Sequence, residues 1–325
     1  MILEKLDNSI ISLMDIMKEE KSNHRKFIEG LADKGEVVAL VGPSDTGKSM
    51  LLRHLSTSVI NGDDNFLGYE LNPEYRKVIY FSSEDSKEKT REIYCKMLQG
   101  DISNSGNMFF DFSIENPANI LKQFLETHKC DLIIIDCFTD YFTSDINKST
   151  EVRSFLLPYK KIAAEFNCLI IFLHHTGKNA EKRRPDKNSI LGSQAIEGSM
   201  RLVLELRNHP SRNDLKCLTI LKGNYISNEM KKKSSLIKFE EESLLFEDLE
   251  EKITFSELIP DDKDSEEFEK YKIADSHFKM GLSYEEISKL VGYSSKGSVS
   301  KLLKKGEIKS WDRIIREDID SENDI

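Results

Sequence analysis

No apolar stretch in the sequence approaches the length of a bilayer span, which excludes a helical membrane protein. The first residues show no secretory pattern, so a cytoplasmic protein is expected. The five cysteines (Cys95, Cys130, Cys137, Cys168 and Cys217) are scattered, odd in number and never spaced Cys-x-x-Cys. That distribution argues against a disulfide framework and a metal site, and fits reduced, mostly buried thiols. An overall basic surface is also lacking, since the formal net charge is -10. A nucleic-acid groove needs only local positive charge, so that deficit does not exclude one. There are no internal repeats.

The 325 residues suffice for one sizeable core and a small second domain. Charge divides the chain: Glu247–Glu269 holds eleven acidic residues and two lysines, whereas Asp275–Lys309 holds seven lysines and four acids. The expected organisation is an N-terminal helix over 1–29, an α/β domain over 30–250, an acidic linker over 251–263 containing Pro260-Asp261-Asp262, and a helical module over 264–325. Ile2, Leu6, Ile10, Leu13, Met14 and Met17 fall at helical spacing, which predicts an amphipathic helix packed on its own domain or on a neighbouring subunit.

Strands are predicted over Val37–Val41, Val78–Ser82, Met108–Phe112, Leu132–Asp136, Leu169–Leu173, Leu202–Leu206 and Leu215–Leu221. Helices are predicted over Lys48–Ile60, Lys87–Leu98, Ala118–His128 and Thr150–Phe166. The uninterrupted apolar run Leu132-Ile133-Ile134-Ile135 suits a parallel strand covered on both faces. The alternation predicts a right-handed, doubly wound α/β sheet. Leu236–Phe246 reads as a hairpin turning at Glu241-Glu242 and closing the domain.

Gly42-Pro43-Ser44-Asp45-Thr46-Gly47-Lys48-Ser49 fits the phosphate-loop pattern G-x-x-x-x-G-K-[ST], and it lies between a predicted strand and a predicted helix. The glycines let backbone N–H groups face phosphates, and the helix N-terminus adds its positive end. Lys48 supplies a point charge to the β- and γ-phosphates and Ser49 an oxygen for Mg²⁺. With Met50 these residues form the expected ATP site. Asp136, ending an apolar strand, is the expected second Mg²⁺ ligand. Glu84 follows the strand Val78–Ser82 and is the expected residue that orients the attacking water; Asp85 beside it is the alternative. Either acid also suits the N-terminus of the following helix.

These motifs, with Tyr80-Phe81-Ser82-Ser83-Glu84-Asp85 and Phe172-Leu173-His174-His175-Thr176-Gly177-Lys178, resemble the RepA-type hexameric replicative helicases of plasmids, which belong with DnaB-like and RecA-like ATPases. Ile190-Leu191-Gly192-Ser193, Met200-Arg201 and Lys222-Gly223-Asn224-Tyr225 are similar to later segments of that family. The similarity spans roughly residues 30 to 250. It implies a RecA-like, mainly parallel sheet, Mg-ATP hydrolysis, a homo-oligomeric (hexameric) ring and single-stranded DNA in its channel. His174 or His175 would then sense the γ-phosphate, or else cap the sheet edge. Arg201 would act on a neighbour's nucleotide, or else pair with Glu197 or Glu205. Lys222 joins the nucleotide contacts; DnaB-type helicases carry an arginine two residues beyond it, where this chain has Asn224. By the same resemblance, the polar basic segment holding Lys178, Lys182, Arg183, Arg184 and Lys187 is a mobile loop tracking DNA phosphates, with a merely solvated loop as the alternative.

Gly281–Ser294 resembles the first helix and turn of a helix-turn-helix, with Ser283 and Glu286 as a capping box and Gly292 at the turn. The following helix offers Lys296, Ser298 and Ser300 to bases, and Lys301, Lys304 and Lys305 to backbone phosphates, as a candidate duplex-DNA reader. A protein-interaction module is the alternative. The sequence thus points to an oligomeric DNA-dependent ATPase, a replicative helicase of a plasmid or mobile element. The alternatives are a DNA-assembling regulatory or transposition ATPase, and an ATP-driven protein switch without nucleic acid.

Overall fold

Leu132, Ile133, Ile134 and Ile135 are each fully buried, because the strand they form is covered on both faces. Their alternation divides them between two cores. Ile133 and Ile135 join Val37, Ala39 and Val41 on one face, and Leu132 and Ile134 join Val38 and Leu40 on the other. The computed structural model describes residues 11–18, 26–113, 115–177, 180–212, 214–259, 263–308 and 311. These fall into two compact units, Met1–Leu258 and Ile259–Ile325.

The first unit holds a nine-stranded sheet. In chain order its strands are β1 (Val37–Gly42), β2 (Val78–Ser82), β3 (Met108–Asp111), β4 (Leu132–Asp136), β5 (Leu169–His175), β6 (Leu202–Asn208), β7 (Leu215–Gly223), β8 (Lys233–Glu240) and β9 (Leu245–Thr254). Across the sheet the order is β9-β8-β7-β6-β1-β5-β4-β2-β3. From β6 to β3 all neighbours are parallel, while β7, β8 and β9 add an antiparallel edge. Helix α1 (Lys48–Asn61) buries Leu51, Leu52, Leu55, Val59 and Ile60 against one face. On the other face α2 (Pro117–Leu125) and α3 (Ser149–Phe166) bury Leu121, Leu125, Val152, Leu156, Tyr159 and Ile162. Left-handed Gly62 ends α1 and left-handed Asn167 ends α3, each donating its N–H back to the last turn. A further helix, Lys87–Met97, starts on Ser86, whose hydroxyl accepts from the Lys89 N–H.

The strands extend past the expected ends because backbone pairing outlasts the apolar run: β5 continues through His174 and His175, and β6 through Arg207 and Asn208. The hairpin is longer than expected for the same reason, and β9 carries acidic residues through Glu250 and Glu251 to Thr254. The region expected as one N-terminal helix differs. A helix spans Leu13–Lys18 with no buried residue, and Ile2, Leu6 and Ile10 lie outside the described residues. Lys26–Ile28 is instead a short strand paired antiparallel with Ala32–Asp33, burying Phe27 and Ile28.

At the amino-terminal end of the sheet, buried Lys34 lies 3.1 Å from the Asp131 carboxylate and 3.2 Å from that of Glu74. Asp131 also accepts from the backbone N–H groups of Glu74 and Tyr75, each at 2.8 Å. The buried charges are thus paired and bonded.

The second unit contains three described helices, Lys263–Lys279, Tyr284–Leu290 and Lys296–Ile308, around Tyr271, Ala274, Ile287, Val291, Val299, Leu302, Leu303 and Trp311. Ser283 and Glu286 form the expected capping box, and left-handed Gly292 makes the turn.

Candidate active site

The site is built where β1 turns into α1. Gly42 packs so closely on β6 that a Cβ there would lie 2.2 Å from the Leu206 carbonyl oxygen, so only glycine fits. At Gly47 the backbone is left-handed, with φ 90°, and this starts α1 without a side-chain cap. The first N–H groups of α1 thus have no capping side chain to satisfy them. Pro43, Ser44, Asp45 and Thr46 span the loop between. Buried Thr46 donates its hydroxyl to the Pro43 carbonyl at 3.1 Å, and the Lys48 ammonium donates to the same carbonyl. Burial pulls the Lys48 pKa down, while Asp136, Cys137, Glu84 and Asp45 oppose that shift. Met50 is half-buried and packs on the α1-side core.

Asp136 ends β4, two strands from β1, and is 4% exposed. The Tyr80 hydroxyl donates to its Oδ2 at 2.5 Å, and Ser49 also hydrogen-bonds the carboxylate. Burial raises the Asp136 pKa, and these two bonds work against it. Its Oδ1 is buried without a partner among the described residues. An orphaned carboxylate oxygen beside a serine hydroxyl is a donor set that suits a hard, oxygen-seeking cation.

Glu84 follows β2 and is exposed. Its pKa is raised, first by partial burial, then by Asp136, Asp140 and Asp85, with Lys48 opposing. Asp85 faces elsewhere, with its Oδ2 2.7 Å from Nη2 of fully buried Arg53 on α1. The Arg53 guanidinium lies 5.3 Å from the Tyr80 ring centre, so one network supports both the Asp136 carboxylate and the Glu84 segment. Asp85 is occupied by this ion pair, which leaves Glu84 as the acid facing Lys48 and Asp136.

The two histidines part company, as neighbours on a strand must. His175 is half-buried, and a ring nitrogen lies within 4.8 Å of a Glu84 carboxylate oxygen. His174 is 1% exposed, packs edge-on to Phe138 at 5.1 Å, and donates Nε2–H to the Leu191 carbonyl at 2.9 Å. Burial lowers its pKa to about 4 and keeps it neutral.

Arg201 and Lys222 are not brought to this loop. Both lie at the opposite end of the sheet, where the Arg201 N–H donates to the Val37 carbonyl at 3.0 Å. There they line a cavity of about 430 Å³ with Lys160 and Glu36. Lys222 donates to the Glu197 carbonyl, Lys187 takes the Glu197 carboxylate at 3.1 Å, and buried Arg207 takes Glu205 at 2.8 Å. Arg201 is exposed and makes no ion pair among the described residues, so neither expected glutamate partner holds it.

The basic segment is fastened rather than free. Thr176 pairs with Ile190 across its neck, and the Gly177 N–H donates to the Ser189 carbonyl. Thr176 also donates its N–H to the Gly42 carbonyl at 3.2 Å, and Arg207 donates to the Arg183 carbonyl. Lys182, Arg183 and Lys187 remain exposed, Arg184 is half-buried, and Lys178 lies outside the described residues. In the second unit Lys296, Ser300, Lys301 and Lys304 are exposed. Ser298 instead bonds Ser295, and Lys305 pairs with Glu267 and lies 5.8 Å from the Trp311 ring centre. Sequence reasoning missed Arg53, Tyr80, Asp140, Lys160 and Arg207. The legible signal was a charge inside an apolar stretch, as at Arg53 and Arg207.

A phosphate loop at the carboxyl end of a parallel strand, with a buried acid two strands away and a second acid opposite, defines a P-loop nucleoside triphosphatase on a RecA-like sheet. A family model described as an AAA domain matches residues 5–181, more than half of the chain. The chain belongs to that family and is an ATP hydrolase. One solved ATPase domain shares the fold with a TM-score of 0.53 at 14% identity, over 77% of this chain and 99% of that one. A DnaB-like replicative helicase, solved with attention to its interactions with primase, gives 0.53 at 14% identity over 66% of this chain and 58% of that one. A curated relative, ABC transporter G family member 8 of Dictyostelium discoideum, is 37% identical over 87 residues, covering 24% of this chain. The match spans 14% of that relative's length.

Two substitutions separate the neighbouring acids. Asp85→Asn strips buried Arg53 of its counter-charge and is expected to cost about 2–4 kcal/mol, below a fully buried pair because Asp85 keeps some solvent contact. Glu84→Gln removes a charge that its surroundings disfavour, so the urea midpoint is expected to hold or rise slightly, while turnover falls by more than about 100-fold. A fully stable Asp85→Asn protein without turnover would reverse the assignment.

Proposed function

We propose that this chain is the motor subunit of an oligomeric, DNA-dependent ATPase of the replicative-helicase type. In the proposed reaction the loop N–H groups from Ser44 to Lys48 hold the phosphates and the Lys48 ammonium reaches the β- and γ-oxygens. Ser49 and Asp136 would hold Mg²⁺, which when bound would supply neutralising charge to the phosphates. Glu84 orients a water for in-line attack on the γ-phosphorus, the bond to the β–γ bridging oxygen breaks, and ADP and phosphate leave. His175 senses the γ-phosphate side. Arg201, with Lys222, serves the nucleotide of the next copy, since neither reaches the loop of its own chain.

One observation carries the DNA part of this reading: the cationic segment is tied directly to the phosphate loop. Thr176 at its neck bonds Gly42, and Arg207 reaches its Arg183 carbonyl from the strand whose Leu206 touches Gly42. Any shift of the loop on ATP binding or loss of phosphate is thereby felt by the side chains of Lys182, Arg183, Arg184 and Lys187, which track the phosphates of a single strand. The capped helix Tyr284–Leu290, the turn at Gly292 and the helix Lys296–Ile308 support a second reading, an ATPase assembled on duplex DNA through Lys296, Ser300, Lys301 and Lys304.

Replacing Lys182, Arg183, Arg184 and Lys187 with alanine is expected to flatten the salt dependence of single-strand binding and to abolish DNA stimulation, with basal ATPase retained. An unchanged salt slope would show that the loop does not touch phosphate. For the second unit, Lys296→Glu/Lys301→Glu should weaken duplex binding at one fixed salt concentration; unaltered binding would leave that unit as a protein contact. Strand displacement on a forked substrate decides between the readings, and DNA-stimulated hydrolysis without displacement would favour the second.

A further inference from the structure

The spacing of cysteines along the chain argues against a metal site, yet the fold gathers one from three strand ends. Glu84 follows β2, Cys137 follows β4 and His175 ends β5, and one donor atom from each lies within 4.8 Å of the others. These strands stand side by side at the carboxyl edge of the sheet, in the order β5-β4-β2. Glu84 is exposed and His175 half-buried, so the group is reached from solvent, while Cys137 forms its 1%-exposed floor. The Nδ1 of His175 has no hydrogen-bond partner among the described residues, and the Cys137 sulfur, packed in the core, hydrogen-bonds the Thr139 hydroxyl at 3.0 Å.

We propose that Glu84, Cys137 and His175 form an inhibitory site for a thiophilic divalent cation, Zn²⁺ above all. One thiolate, one imidazole and one carboxylate are zinc ligands, and tetrahedral coordination needs contacts of about 2.0–2.3 Å. Donors on a tetrahedral zinc stand closer together than 4.8 Å, so the side chains must close onto the ion. Asp136 and Asp140 add negative charge around both Glu84 and His175, while burial and the nearby Lys48 ammonium oppose a cation at His175. The sulfur sets the selectivity. Mg²⁺ is a hard ion that avoids thiolate and goes to Ser49 and Asp136, whereas zinc prefers the softer set. On binding, the Cys137 proton leaves to solvent and a water completes the four-coordinate ion. Zinc then occupies the carboxylate that orients the attacking water, so nucleotide still binds and hydrolysis stops. The binding claim stands on geometry alone; the inhibition claim rests on the reading of Glu84 above.

The test uses the full chain and two probes, Co²⁺ alone and Zn²⁺ in excess Mg-ATP. Co²⁺ is expected to give a thiolate-to-metal charge-transfer band that Zn²⁺ bleaches, and Cys137→Ser should abolish it. Zn²⁺ should suppress turnover of the unaltered protein at micromolar levels without displacing a fluorescent ATP analogue. Cys137→Ser should keep basal activity and raise the half-inhibitory zinc concentration by more than about 100-fold, beyond the cost of losing an outer-sphere partner. Equal inhibition of Cys137→Ser would place zinc in the Mg²⁺ position, and absence of the cobalt band would remove the site; either result overturns the proposal while leaving the role of Glu84 intact. A Cys137-dependent cobalt band with no zinc inhibition would overturn the inhibitory claim and the role of Glu84 together.

Discussion

The structure depends most on the place where Gly42 meets β6. The backbone there runs against the Leu206 carbonyl with no room for a methyl group, and its own carbonyl accepts from Thr176 on the other side. A loop held from both flanks presents its N–H groups as a fixed surface, so little ordering remains to be done when phosphate arrives. The same two contacts lead outward. One flank continues into Arg207 and the Arg183 carbonyl, the other into the neck of the basic segment. Phosphate recognition and the cationic segment are therefore parts of one hydrogen-bonded assembly.

A second assembly holds the acids. Burial disfavours the charges of Glu84 and Asp136 and raises both pKa values, and the neighbouring carboxylates add to that at Glu84. Arg53 offsets it from beneath. It is fully buried, pairs with Asp85 rather than with the acids of the site, and lies against the Tyr80 ring whose hydroxyl holds Asp136. Lys48 acts electrostatically on both Glu84 and Asp136, while its ammonium hydrogen-bonds the Pro43 carbonyl. Loss of Arg53 or Asp85 would therefore disturb the site through position, without removing any group that meets nucleotide.

Much of this was legible in the sequence. Apolar runs such as Leu132–Ile135 declare a doubly covered strand, and the phosphate loop declares its own geometry. The extra length of β5 and β6 was hidden because polar residues end the apolar run before the pairing ends. The sequence already favours Glu84 over Asp85, but the physical ground for the preference was hidden for a different reason. It turns on Arg53, which lies 32 residues from Asp85 along the chain. The basic segment read as mobile because its composition is polar, and its anchor, Arg207, belongs to another strand. Near the N-terminus the helical spacing of Leu13, Met14 and Met17 does give a helix over Leu13–Lys18, but the expected extent to residue 29 fails: Lys26–Ile28 is a strand, because Phe27 and Ile28 find a buried site beside Ala32. Local pattern gives elements; ion pairs and anchors that join distant segments do not announce themselves.

The phosphate loop and the Arg201–Lys222 cluster occupy opposite ends of one sheet, and the account proposed here joins them only across neighbouring copies. The most direct measurement mixes Arg201→Ala subunits with Lys48→Ala subunits, each inactive alone, under conditions where co-assembly is demonstrated. Where one copy's loop meets the next copy's arginine, both parts are intact at about a quarter of the interfaces in an equimolar mixture. The account predicts that ATP hydrolysis returns in proportion to those mixed interfaces. Activity no greater than the sum of the two inactive proteins would contradict it.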